Sequence, residues 1–234
     1  MDEGAQGLRG RAPRRRIALV AAVWIAVSAG AVGVASVLDD PVGAGPRDEA
    51  RPIIAGPIVE PGDELSGRDD GLPPVGLVLE QPLATDLLNL SIDQRAEELQ
   101  RIAATSADSR RLLELGTVHQ QRGDTAAARE AYRDALRLDA GNVAARVGLQ
   151  MADAATGTAG QEAAADALGE LAKELPDSQI VHFNRGWLDI YRREFDGALA
   201  SLRRVQELDS TTPLGRTAAE LVVRIEEGQA AAAG

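Results

Sequence analysis

Four residues recur at fixed spacing along this chain. Gly116, Ala128, Tyr132 and Ala135 lie at relative positions 0, 12, 16 and 19, and Gly186, Ala198, Leu202 and Val205 repeat that spacing 70 residues later. Gly and Ala at such positions let two helices approach closely, and one larger side chain per set fills the space between layers. A chain carrying two such sets folds most simply as stacked helical hairpins. Composition agrees, since aromatic residues are only 3% of the chain and β-sheets favour aromatic and β-branched residues.

The local signals are helical throughout this region. Ser91-Ile92-Asp93-Gln94 reads as a capping box, with Ile92, Ala96, Leu99 and Ala103 on one face behind it. A second helix is expected from Ser109 to Arg122, stopped by Gly123. Thr125 is placed to cap a third, which ends near Asp139-Ala140-Gly141.

This unit resembles the tetratricopeptide repeat, a helix–turn–helix module of about 34 residues. The resemblance is carried by Leu112, Leu115-Gly116, His119, Ala128, Tyr132, Ala135 and Ala140. His119 stands where the family usually has an aromatic, and the closing proline is missing. The stretch from Phe183 to Pro213 is similar to a second copy. A degenerate copy fits between them, with Gly148, Ala164 and Leu168 and a closing Pro176, lengthened around Thr156-Gly157-Thr158. A last helix, Leu214 to Glu227, offers Leu214, Ala218, Leu221, Val222 and Ile225 to cover the end of the stack. The expectation is an all-α fold over residues 91–228, a tetratricopeptide-like solenoid of about three helix pairs plus a capping helix, with a short Ala-rich tail at 229–234.

The amino-terminal third reads differently. Residues Ile17 to Leu38 form 22 positions without a charge. As a helix this run spans about 33 Å, enough for a hydrocarbon core of roughly 30 Å. Arg9, Arg11, Arg14, Arg15 and Arg16 precede it and Asp39-Asp40 follow. The positive-inside rule then puts residues 1–16 in the cytoplasm and the remainder across a bacterial inner membrane, on the periplasmic side. The bacterial assignment follows from an arginine-rich chain whose one lysine is Lys173. The competing reading is a signal peptide cleaved near Ala29-Gly30-Ala31, releasing a soluble periplasmic adaptor. Ala22, Ala26 and Gly30 lie four apart, a spacing that permits a homodimer in the membrane and equally fits ordinary membrane-helix composition.

Residues 39–90 are expected to form a disordered acidic linker. Eight of the 11 prolines fall between Pro41 and Pro82, and from Asp39 to Pro82 ten acids face three bases. Within it Leu72 to Leu90 is too apolar for a plain tether. It reads as a short strand, as a docking peptide, or as a segment folded back on the helices.

Several function classes are excluded or given no support. A net charge of -11 argues against a nucleic-acid reader. The absence of Cys, with only His119 and His182, removes thiol chemistry and multi-histidine metal centres. No catalytic constellation, phosphate loop or cofactor motif is present. Pairs such as Glu97-Glu98 and Glu226-Glu227 are sequence neighbours, which point about 100° apart on a helix.

What the resemblance implies is partner binding on the concave face, lined by the first helix of each pair. The matching positions are Arg110, Leu113, Thr117, Gln120 and Gln121 in the first repeat, Ala145, Leu149 and Ala152 in the second, and Phe183, Trp187, Ile190 and Tyr191 in the third. Trp187 and Tyr191 are then either groove anchors or core residues beneath the last helix. Leu113 and Thr117 cannot grip a carboxylate by charge, which argues against a receptor for chaperone tails. The function expected is a membrane-anchored scaffold that binds a protein and assists assembly of an envelope complex of secretion, cytochrome-maturation or pilus type, with a subunit regulating an enzyme as the remaining alternative.

Overall fold

The computed structural model describes residues 53–54, 75–80, 87 and 89–233. The basic tail 1–16, the apolar run 17–38 and most of the linker lie outside the described residues. Eight helices follow one another in the described part: α1 Ile92–Thr105, α2 Ser109–Gln121, α3 Thr125–Leu138, α4 Val143–Ala154, α5 Thr158–Glu174, α6 Gln179–Arg192, α7 Phe195–Asp209 and α8 Pro213–Ala233. Ahead of them, β1 (Ile53–Ile54) pairs antiparallel with β2 (Val78–Leu79), Ile53 opposite Leu79 and Ile54 opposite Val78. Among the described residues no helix is long and apolar enough to cross a membrane.

The first four helices each start where a short polar side chain satisfies free N–H groups. Ser91 and Gln94 form the reciprocal capping box, at 3.3 and 3.0 Å. Asp108 caps α2 and Asn142 caps α4. For α3 the cap is Asp124, which accepts from the N–H of Ala127 at 3.1 Å. Thr125, the expected cap, is instead the first helical residue. The carboxylate one position earlier takes the capping geometry, so the boundary moves by one residue.

Every helix packs on the next, and α2, α4, α6 and α8 also touch in series. These alternate helices form an inner layer, with α3, α5 and α7 on the outside. The result is a helical-repeat solenoid in which each hairpin contacts mainly its neighbours. The core divides accordingly. One apolar cluster runs from α2 to α8, and a smaller one joins α1 to the start of the stack through Ala96, Leu99, Leu115, Val118 and Ala131.

A close contact between the layers explains the small residues of the repeat. Tyr132 is fully buried, and its ring lies between Gly116 and Gly148. A Cβ on Gly116 would sit 2.5 Å from Tyr132 Cε1, and one on Gly148 2.7 Å from the same atom. Gly186 meets Leu202 in the same way, its Cβ position 3.0 Å from Leu202 Cγ. Ala128, Ala135, Ala198 and Val205 are buried beside them.

The repeat extends to polar ties that the sequence conceals. Ser109 Oγ donates to the Ala135 carbonyl at 3.0 Å, and Asn142 donates to Ser109 Oγ at 3.0 Å. Seventy residues on, Gln179 Nε2 donates to the Val205 carbonyl at 2.8 Å, and Thr212 donates to Gln179 Oε1 at 2.9 Å. The same two joints are made with different residue types. The turns after α2 and α6 also correspond: Gly123 has φ 75° and Arg193, at the matching position, φ 62°.

Two boundaries differ from expectation. The last helix does not stop near Glu227 but runs to Ala233, because alanine is the strongest helix former and the four alanines at 230–233 outweigh Gly228. Part of the expected disordered linker is also ordered: residues 75–79 are buried, because their apolar side chains join the main core cluster.

Gly116→Leu should destabilise the domain by about 3 kcal/mol, at the upper end of overpacking costs, since Tyr132 has glycine on both sides and nowhere to retreat. Conversely, Arg193→Gly should stabilise it by about 1 kcal/mol, because the left-handed backbone penalises any residue with a Cβ. Denaturant unfolding of the purified chain measures both.

Candidate functional site

The inner layer is apolar at its centre and carries a few aimed amides. On α2 it presents Leu113, Thr117, Gln120 and Gln121; on α4, Ala145, Leu149 and Ala152; on α6, Phe183, Trp187, Ile190 and Tyr191. Leu113, Thr117, Gln120, Ala145, Ala152 and all four α6 residues are buried, whereas Gln121 and Leu149 are half-exposed and Arg110 is exposed. Trp187 and Tyr191 meet edge to face, with ring centroids 5.7 Å apart, a favoured aromatic geometry.

These residues are covered in part by the chain itself. Leu77 and Val78 are both 0% exposed and belong to the same apolar cluster as Leu113, Phe183 and Trp187. The Val78 N–H donates to Asn184 Oδ1 at 2.7 Å, and Asn184 Nδ2 donates back to the Val78 carbonyl at 2.9 Å. Asn184 also donates to the Ile180 carbonyl of its own helix at 2.8 Å, which sets its orientation. Across the groove, the Leu77 N–H donates to Gln120 Oε1 at 3.3 Å, and Tyr132 Oη donates to the same oxygen at 2.6 Å. An extended strand therefore crosses from α2 to α6 with its backbone held at both sides.

The grip has gaps. Trp187 Nε1 and Gln120 Nε2 are buried and meet no acceptor among the described residues. A buried donor left without a partner costs about 1–3 kcal/mol. The groove is thus less than fully satisfied by the segment it holds.

Asn184 was not among the residues projected from the sequence, nor was Glu114, which holds the matching place on α2 and pairs with Arg111 at 3.1 Å. Each follows an apolar inner-layer residue by one position and precedes another inner-layer residue, Thr117 or Trp187, by three, so both lie on the inner face. A polar residue set into an otherwise apolar helix face was the signal available.

The remaining polar groups are structural. His119 is buried, 3.4 Å from Gln100 Nε2, and His182 bonds the Pro176 carbonyl at 2.9 Å through Nε2. Burial lowers the pKa of both imidazoles, partly opposed by Asp124 at His119 and by the Pro176 bond at His182. Burial raises the carboxyl of Asp189, with Arg185 and Arg192 opposing it. Burial also lifts the Tyr132 phenol well above its ordinary value.

No family model matches the chain, and no curated protein matches it in sequence.

The histidines make a pH prediction. Their folded pKa values lie below the unfolded value of about 6.5, so the unfolded chain binds more protons. Stability is then complete above that value and is lost as the pH falls through the window beneath it. Asp189 acts in the opposite sense, favouring the folded state at low pH. Melting temperatures at pH 7 and pH 5 should therefore drop less for the His119→Gln/His182→Gln chain than for the wild type.

Proposed function

We propose that this chain is a tetratricopeptide-type scaffold that holds a protein partner in extended form along its inner face. The observation that supports it most is the double hydrogen bond between Asn184 and the backbone of Val78. That contact reads the main chain of an extended peptide whatever its side chains, and the surrounding apolar surface supplies burial energy. Recurrence of the Ser109 and Gln179 joints at the repeat spacing supports the family assignment.

Around this domain the sequence supports a membrane-anchored layout: a basic cytoplasmic start, a spanning segment at 17–38 and a periplasmic repeat domain on an acidic tether. Such a layout suits assembly of an envelope complex of secretion, cytochrome-maturation or pilus type. A soluble periplasmic adaptor is the second reading, favoured by the small residues at Ala29-Gly30-Ala31. In neither reading does the chain carry out a reaction or bind a cofactor.

Photo-crosslinking in intact cells tests the groove. A crosslinking amino acid at Gln121 or Leu149, both half-exposed on the inner face, should capture a partner. The same group at Arg133, exposed on the outer helix α3, should not. Capture from position 133 alone would place binding on the outer face and end the proposal.

A further inference from the structure

We propose that residues 75–79 are a built-in plug, and that the guest of the groove is an extended apolar peptide from another polypeptide, which must displace it. This rests on the groove reading above and deepens it. Four features carry the argument.

The plug is held as a ligand is held. Asn184 and Gln120 bond its main chain and not its side chains, so a second extended strand can take over the same bonds. It is also no part of the helix-to-helix contacts, although its side chains are buried. β2 packs on α6 and on β1, while the contacts between consecutive helices are made without it. The fit is incomplete as well, because Trp187 Nε1 and Gln120 Nε2 meet no acceptor among the described residues while the plug is in place. A guest bringing carbonyl oxygens to those two donors gains what the plug lacks. Finally, the plug is uncharged from Val75 to Leu79 and is bracketed by Pro73-Pro74 and Pro82. The prolines favour an extended chain and keep the segment from joining a helix. The chemistry of the guest follows from that of the plug: extended, aliphatic, uncharged over about five residues, with a small residue just before the one whose amide meets Gln120.

The plug competes from short range. Twelve residues separate Leu79 from Ile92, where α1 begins, and a tether of that length gives an effective concentration on the order of millimolar. A guest with a micromolar intrinsic constant sees only the unplugged fraction of the grooves. Opening the plug should therefore raise its apparent affinity by about 10- to 100-fold.

The test uses the full chain and a fluorescein-labelled peptide of sequence PPVGLVLEQ, followed by anisotropy. The Leu77→Asp/Val78→Asp chain should bind it at least about tenfold more tightly than wild type, and adding Asn184→Ala should remove that gain. Equal affinity in wild type and opened chain, or no binding by either, overturns the proposal. Should the opened chain fail to fold, hydrogen exchange on the wild type decides. The Val78 amide should exchange faster than the Leu188 amide of α6 and faster still with excess peptide. Exchange of both amides at one rate, unmoved by peptide, makes the segment a permanent part of the fold and overturns the plug. A wild-type mass that is dimeric, with the opened chain monomeric, assigns the segment to a second copy and overturns the intramolecular contact. The two readings fail separately. Inner-face crosslinks that persist while the peptide never binds sink the plug and spare the groove, whereas loss of the crosslinks removes both.

Discussion

The ring of Tyr132 is the joint on which the stack depends. It lies on α3, yet it is closed in by glycines of α2 and α4, so one side chain ties its own hairpin to the next. Helix hairpins of this size cannot bury an apolar face alone, and the depth of contact depends on how closely the backbones approach. With a Cβ at either glycine the helices would stand further apart. The spacing of the inner layer, and hence the width of the groove, follows from that approach.

The same ring reaches the inner layer. Its hydroxyl donates to Gln120, whose oxygen also accepts the Leu77 amide. The packing joint and the groove therefore share one side chain, and the position of Gln120 is set from behind by the core. Asn184 is set in a similar way by its bond to the Ile180 carbonyl. Both amides are thus fixed from within the helical stack at the places where they bond the strand. The strand contributes main-chain groups and aliphatic bulk, and the groove contributes direction.

The helical pattern was legible in the residues. Helix positions followed from apolar periodicity and caps, and the roles of Gly116, Ala128, Tyr132, Gly186 and Leu202 followed from their spacing. The last helix was legible as a cover, its buried face formed by Leu214, Ala218, Leu221, Val222 and Ile225. Boundaries were legible only to within a residue or a turn, because Asp124 competed with Thr125 as a cap and the alanines after Gln229 prolong α8. The inner-layer positions on α2, α4 and α6 followed from the repeat spacing, but Asn184 did not. In the third repeat the projection took the large apolar side chains and passed over Asn184, an amide whose purpose shows only opposite the peptide group it bonds.

Sequence alone determined that these residues form paired helices at a fixed repeat, because periodicity, capping and the placement of small residues are local properties. It also marked Leu72 to Leu90 as too apolar for a tether. Where that segment goes was decided only in three dimensions. Leu77 and Val78 lie 43 and 106 residues from the side chains that hold their amides, and such contacts arise only when the stack has curved to bring α2 and α6 to face the same strand. The equivalence of Ser109 with Gln179, and of Asn142 with Thr212, was likewise decided by folding. Different side chains can close the same gap, so the constraint is on a position in space and leaves no signature in residue type.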